Sequence, residues 1–327
     1  MANENPLVSV LMPAYNAEKY IKEAIESIIA QTYIYWELIV INDGSTDKTK
    51  DIILSYTDIR IKYFENEKNL GIVATRNNAV KMASGEYCAM LDADDVCYPN
   101  RFKKQVAFLA KHKNYGVCGS WARNSNNTLL KLPAHNADIQ CSLLVQCPFV
   151  NSSVMIRTNL LKKFQYRNYS VAEDYDLWIR LSLHTKMANI PEYLVFYRIH
   201  ENNTSSTQSQ LLSSLAQDIF RKQLSNNLNI VPTDTEMRIH ELLANVKPNA
   251  ATLDVQFLTD LKRWIQKLWK ANKQTGYYNH SDFASVLWFR WILACLFMNR
   301  FEKLLSLAIP LSPKAFWCLL IQLKGRI

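Results

Sequence analysis

The chain has 327 residues, 49% of them hydrophobic, and a formal net charge of +9. That is enough apolar material for one large core plus an appendage. From Leu261 to Ile327 eleven basic residues (Lys262, Arg263, Lys267, Lys270, Lys273, Arg290, Arg300, Lys303, Lys314, Lys324 and Arg326) face two acids, Asp282 and Glu302, so this tail carries the whole surplus, and a nearly neutral remainder excludes a surface built to coat nucleic acid.

The N-terminus, Met1 to Pro6, has no basic region, so no signal peptide is expected. The apolar run Leu7 to Met12, closed by Pro13, reads as a strand. Glu18 to Ala30 places Ile21, Ala24, Ile25, Ile28 and Ile29 at helical spacing. The same unit recurs: strand Trp36 to Ile41 with helix Asp47 to Tyr56, then strand Ile59 to Phe64 with helix Ile72 to Met82. A fourth strand, Tyr87 to Leu91, runs into Asp92, Asp94 and Asp95. Alternation of this kind builds a parallel sheet covered on both faces, with ligands at the carboxyl ends of the strands. The polar residues after the strands, Tyr15, Asn16, Glu18, Asn42, Asp43, Gly44, Asp92 and Asp94, should therefore meet on one rim.

Beyond a helix at Arg101 to His112 the pattern is mixed, with strands expected at Gly116 to Ala122, Ser152 to Ile156 and Leu194 to Ile199 and a helix at Glu173 to His184. From Ser205 onward only helical periodicity remains, which places a domain boundary near Thr204 and makes 205–327 a helical extension. The seven cysteines form no C-x-x-C pair and sit mostly in apolar runs, as buried thiols in a reducing, cytoplasmic setting do.

Hard carboxylate oxygens at the end of a buried strand, as on Asp92 and Asp94, suit Mg2+ or Mn2+ bound together with a diphosphate; the alternative is a solvated acidic turn. Around Asp43, Gly44 permits a tight turn and Ser45 or Thr46 can cap the next helix, so only Asp43 is left without a structural task. Its carboxylate can accept from a pyrimidine N–H, with Arg76 donating to a neighbouring carbonyl, unless Arg76 forms a surface ion pair.

Taken in order, Pro13 to Asn16, Asn42 to Thr46, Asn69 to Asn77, Leu91 to Asp95, Glu173 to Trp178 and Tyr197 to His200 resemble family 2 of the glycosyltransferases, with its GT-A fold, over roughly the first two hundred residues. The resemblance implies a Rossmann-like nucleotide-binding sheet with a mixed acceptor half and an inverting transfer from a nucleoside-diphosphate sugar, a UDP-sugar by preference, to a glycan or lipid-linked glycan. It places Pro13, Ala14, Tyr15, Glu18, Asp43 and Arg76 at the nucleoside, Asp92 at the ribose and Arg198 near the diphosphate. Asp94 and His200 would hold Mn2+ or Mg2+. Glu173 and Asp174 would be the catalytic acids, with Asp174 as the general base, although acids at a helix N-terminus are favoured by the helix dipole without any catalysis. Trp178 reads as core rather than as a sugar platform.

The tail holds five of the eight tryptophans, Trp264, Trp269, Trp288, Trp291 and Trp317. Tryptophan with basic residues on amphipathic helices favours an anionic membrane surface; a helical cap with wet cations is the alternative. The apolar run Phe283 to Met298 is broken by Arg290 and falls short of a span. A peripheral place on the inner face of the cytoplasmic membrane, in surface polysaccharide or lipopolysaccharide synthesis, is the resulting expectation. A sugar nucleotidylyltransferase would need a glycine-rich loop after the first strand, and Met12 to Glu18 has no glycine. A nucleotide-sugar binder without turnover would not need Asp174.

Overall fold

The computed structural model describes residues 5–169, 171–201, 203, 209–244 and 255–310. The chain groups into two compact units, Met1–Asn136 with Pro148–Leu212 and Ala137–Cys147 with Ser213–Ile327. The expected boundary at Thr204 lies outside the described residues, as do Lys314, Trp317, Lys324 and Arg326.

The first unit opens with the predicted alternation: β1 (Val8–Ala14), α1 (Ile21–Ile29), β2 (Trp36–Asn42), α2 (Thr49–Leu54), β3 (Ile61–Glu65), α3 (Ile72–Met82) and β4 (Tyr87–Met90). Every residue of β1, β2 and β4 is buried, as in strands covered on both faces. They pair in parallel in the order β3-β2-β1-β4. The winding reverses beside β1, so a crevice opens past the carboxyl ends of β1 and β4. Pro13 is tolerated in this central strand because the β4 ladder has ended at Leu11↔Met90, and the missing N–H falls on that vacated side.

The sheet then turns mixed, as expected. The chain continues through β5 (Val96–Cys97), α4 (Arg101–Lys111), β6 (Tyr115–Asn124), β7 (Leu129–Leu130), α5 (Asn136–Ser142), β8 (Met155–Arg157), α6 (Thr158–Phe164), α7 (Glu173–Ser182) and β9 (Lys186–Tyr197). β8 runs antiparallel to β4 and β6, and β9 runs parallel to β6 and antiparallel to β5. Arg101 lies inside this core and donates to the carbonyls of Met90 and Val154, so α4 is tied to the end of β4 that carries the acids.

Three expectations needed correction. β9 begins at Lys186 rather than Leu194, because Pro191 sits where the register with β6 slips between Ile190 and Tyr193; the bulge absorbs a residue that otherwise reads as a strand breaker. The strand expected from Ser152 starts at Met155, since Asn151–Ser153 form a 3-10 turn closed by Ser153 N–H to Val150 O at 2.8 Å. Neither Ser45 nor Thr46 caps α2: its first N–H groups, on Lys48 and Thr49, donate to the carboxylates of Glu18 and Asp47, 3.0 Å in each case.

The second unit is helical, with α8 (Ser209–Leu228), α9 (Asp234–Ala244), α10 (Val255–Thr275) and α11 (His280–Phe297). Trp264, Trp288 and Trp291 are buried, and their Nε1–H groups donate to His240 Nδ1 (3.1 Å), Pro310 O (3.0 Å) and Lys303 O (3.2 Å). These rings form the unit's own core, while Arg263, Lys267, Lys270 and Lys273 stay exposed on α10. Arg290 is buried too and pairs with Gln146 Oε1, which explains how a cation fits the middle of an apolar helix. Among the described residues no helix is long and apolar enough to cross a membrane.

Candidate active site

The loops that follow β1 and β2 are locked together by backbone donors on one side and side-chain acceptors on the other. Asn16 N–H donates to Ser45 Oγ (3.0 Å), Ala17 N–H to Thr49 Oγ1 (2.7 Å) and Glu18 N–H to Asp47 Oδ2 (3.0 Å), while Thr46 N–H donates back to Asn16 Oδ1 (2.9 Å). Asn16 takes a left-handed φ of 47° to make this exchange, a conformation that asparagine tolerates. The result is a rigid lip on which Pro13 and Ala14 are buried and Tyr15 is half exposed. Glu18, expected at the nucleoside, has one carboxylate oxygen on the Lys48 N–H.

Asp43 is buried just behind that lip. Its Oδ1 accepts from Asn66 Nδ2 (2.7 Å) and Leu70 N–H (2.9 Å), and its Oδ2 accepts from Gly71 N–H (3.0 Å). One carboxylate therefore orders the segment that enters α3 and keeps acceptor capacity on Oδ2. Gly44 makes the approach feasible: at φ +71° a Cβ would stand 2.7 Å from the Lys68 carbonyl carbon.

Past β4 the three acids separate by task. Asp92 receives Ser152 Oγ and Asn151 Nδ2 from the 3-10 turn, at 3.3 and 3.4 Å, and an Arg76 Nη2 at 2.7 Å. Asp94 Oδ2 faces His200 Nε2 at 2.9 Å, so the two expected metal ligands, 106 residues apart, are brought together. Asp95 is buried and accepts the Arg198 N–H at 2.8 Å. Burial and mutual repulsion push the carboxyls of Asp94 and Asp95 above the usual range, Asp95 well above it. The pair of residues in β5 is what closes this turn, because Val96↔Phe196 and Cys97↔Val195 zip the acidic turn to the end of β9.

Sequence reasoning missed the groups that hold this end of β9. Tyr20 stacks on His200 with centroids 4.9 Å apart and carries the Arg198 guanidinium 4.7 Å from its ring. Arg198 donates its Nε–H to Asp94 O at 2.9 Å and pairs with Glu23 on α1. Nothing in the spacing of Tyr20, just before α1, and Glu23 on it marks them for this task; the β5–β9 pairing brings them into reach.

Arg76 departs from expectation. It is not in the surface ion pair that was the alternative to a nucleoside contact: it is buried, with one terminal nitrogen on Asp92 and the other on Glu173 at the start of α7. Asp174 follows on the same first turn, its Oδ1 accepting the Tyr175 N–H at 2.7 Å. Burial, reinforced by Glu173 and only partly offset by Arg76, pushes the Asp174 carboxyl up to about 7. A carboxylate so placed is poised to exchange a proton near neutrality. Asp176, the third acid of that turn, is structural: Arg180 Nε–H reaches it at 2.7 Å while the same guanidinium ties down Phe164 O and Gln165 O. Trp178 is fully buried beside Phe149, in the core as expected.

An α/β sheet with a switch-point crevice, an acidic turn facing a histidine and a raised carboxylate at a helix start are the features on which a comparison with known enzymes can be made. The sequence profile described as Glycosyl transferase family 2 matches residues 9–171. An uncharacterised glycosyltransferase of Haemophilus influenzae is 36% identical over 250 residues, which span 71% of this chain and 77% of that one. The Escherichia coli protein WfgD, a UDP-Glc:alpha-D-GlcNAc-diphosphoundecaprenol beta-1,3-glucosyltransferase, is 33% identical over 205 residues, covering 62% of this chain and 81% of its own. The mannosyltransferase PcManGT of Pyrobaculum calidifontis, solved with GDP-Man and Mn2+, overlays with a TM-score of 0.58 at 16% identity, over 96% of this chain and 88% of that one. The chain belongs to glycosyl transferase family 2, and its first unit has the GT-A fold. It is a glycosyltransferase, with relatives in polysaccharide and lipid-linked sugar synthesis.

Proposed function

We propose that the protein transfers a sugar from a nucleoside-diphosphate sugar, preferably a UDP-sugar, to a hydroxyl of a glycan or lipid-linked glycan, with inversion at the anomeric carbon, in surface polysaccharide or lipopolysaccharide assembly. The observation that carries the reading is Asp174, raised by burial at the head of α7 and linked through Glu173, Arg76 and Asp92 to the nucleotide rim. Ionised, it takes the proton of the acceptor hydroxyl. The acceptor oxygen then bonds to the anomeric carbon as that carbon's bond to the diphosphate oxygen breaks, and the nucleoside diphosphate leaves with the electron pair.

The lip of Pro13, Ala14, Tyr15 and Glu18 borders the nucleoside, Asp43 Oδ2 accepts from the pyrimidine N–H, and Asp92 receives the ribose. Arg198 steadies the Asp94 turn beside the diphosphate. Among the described residues no three His, Cys, Asp or Glu side chains converge on one point. The residues that would hold a divalent cation, Mn2+ or Mg2+, are Asp94 and His200, which face each other at 2.9 Å; the donor's diphosphate would have to supply further ligands. Such an ion, when bound, offsets charge building on the leaving group. Support comes from PcManGT, solved with a nucleotide sugar and Mn2+, and from WfgD, whose name specifies a UDP-sugar and a lipid-linked acceptor.

In this reading residues 1–204 are the transferase domain and 205–327 a basic appendage. The exposed cations of α10 lie against an anionic membrane surface on the cytoplasmic side, where a lipid-linked acceptor is met; the buried tryptophans take no part. The test is a donor screen by thermal stabilisation and nucleotide release, using UDP-, GDP- and dTDP-sugars with Mn2+, Mg2+ or chelator. A metal-dependent response to a UDP-sugar is expected, and a folded sample that answers to no nucleotide sugar would sink the proposal. Stabilisation without turnover on any acceptor would favour the non-catalytic binder.

A further inference from the structure

Glu173 stands next to the proposed base yet is itself committed elsewhere. It is buried, and its Oε1 is paired with Arg76 Nη1, 97 residues away on α3. The other Arg76 nitrogen holds Asp92 Oδ1 at 2.7 Å, on the turn after β4. Tyr166, following α6, closes the remaining side: its ring lies 5.6 Å from the guanidinium, its hydroxyl donates to Met90 Sδ at 3.4 Å, and its backbone is held at both N–H and C=O by the Asn77 amide. The chain enters α7 through Ala172 at a left-handed φ of 62°, a conformation an alanine adopts only when its surroundings hold it there.

We infer that Glu173 is a positioning residue: its ion pair with Arg76 pins the start of α7 to the ribose-side carboxylate Asp92 and so fixes where Asp174 stands and which charges face it. The inference rests on the reading of Asp174 as base. A buried carboxylate salt-bridged to a guanidinium is a poor proton carrier, and a single guanidinium shared between Asp92 and Glu173 joins the nucleotide side of the crevice to the acceptor side.

The groups that face Asp174 are Glu173 on its own helix, Arg76 from α3, Asp92 after β4 and Tyr166 after α6. Glu173 opposes ionisation of Asp174 and Arg76 favours it. In Glu173→Gln the amide oxygen can still accept from Arg76, so the geometry survives. The adjacent negative charge is gone, however, and Arg76 keeps one counter-charge fewer. Both changes favour ionised Asp174, and the acid limb of kcat must move to lower pH.

The experiment compares pH profiles of kcat for the full chain, wild type against Glu173→Gln, Glu173→Asp and Asp174→Asn, with nucleotide-sugar binding followed in parallel. For Glu173→Gln we expect the limb to fall by about one pH unit, so that activity at pH 6 rises from roughly a tenth of plateau to about half. Glu173→Asp keeps the charge but shortens the reach; its limb stays while the plateau drops about 10- to 100-fold. A purely structural Glu173 would lower the plateau without moving the limb, and a proton-transferring Glu173 would leave Glu173→Gln as inactive as Asp174→Asn. Either result overturns the inference. Should Glu173→Gln fail to fold, a wild-type plateau in Glu173→Asp overturns it alone. An active Asp174→Asn would instead remove the base assignment itself.

Discussion

Both units bury ionisable side chains, and they use burial in opposite ways. In the first, Asp174 keeps a carboxyl raised to about 7 because its neighbours only partly compensate it. In the second, burial drives His240 down to about 4, but the ring is fully paired: Nε2–H donates to Leu144 O at 2.8 Å and Nδ1 accepts from Trp264 Nε1–H at 3.1 Å. Gln223 in the same unit donates to Leu143 O at 2.8 Å, so segment 137–147 is stitched to the helices by side chains reaching its carbonyls. The lesson is that burial alone does not mark a working group. Satisfied hydrogen bonds make a buried ionisable residue into glue, and incomplete compensation leaves it able to exchange a proton near neutrality.

The sharpest way to break this contrast is to remove the carboxylate proposed as base. Asp174→Asn should cut transfer about 10^3-fold or more while nucleotide-sugar stabilisation persists, measured by product formation beside a thermal shift. Next, Asp94→Ala should lose most metal-dependent donor binding as well as transfer, and excess chelator should give the wild type the same deficit; full binding in the variant would dismiss the Asp94–His200 site. On the other side, His240→Ala should cost about 3 kcal/mol of stability in urea unfolding, from two lost buried hydrogen bonds and a cavity.

The pH dependences separate the two residues further. As the proposed base Asp174 would act ionised, so kcat should fall as the pH drops below about 7. His240 is depressed below its ordinary 6.5, so the unfolded chain takes up its proton first. Its contribution to stability is complete above pH 6.5 and is lost as the pH falls towards 4; urea midpoints flat across that window would contradict the pairing. The smallest effect belongs to Trp264→Phe, which keeps the ring's bulk and deletes one donor, at a cost of about 1 kcal/mol. A Gly44→Ala change tests the lip instead: a left-handed turn and a Cβ 2.7 Å from backbone predict about 1–3 kcal/mol and weaker donor binding.

Much of the first unit was legible because its signals are local. Helix α3 lies where the period placed it, Ile72–Met82, and the strands β1, β2 and β4 coincide with their apolar runs to within a residue or two. Asp43, Asp92 and Asp94 could be singled out because each ends such a run. Where reading failed, the cause was non-local. The last strand was expected only from Leu194, because the bulge at Pro191 that lets it start at Lys186 depends on β6, and Ser45 or Thr46 was expected to cap α2, whereas the carboxylates of Glu18 and Asp47 take its first N–H groups. The tail shows the same limit: its tryptophans match a membrane-surface pattern by composition, yet three of the four described are packed inside their own unit.

The sequence by itself determined the alternation of strands and helices and the rim on which the acids must fall, because hydrophobic period and strand-end residues are properties of short windows, and six motifs in order carried the resemblance to the family. Only the tertiary structure decided which groups meet. A two-residue strand, β5, brings Asp94 to His200, and one buried arginine joins Asp92 to Glu173. These contacts close loops of about a hundred residues, and no short window records them: they form because packing the sheet and helices leaves those side chains facing each other.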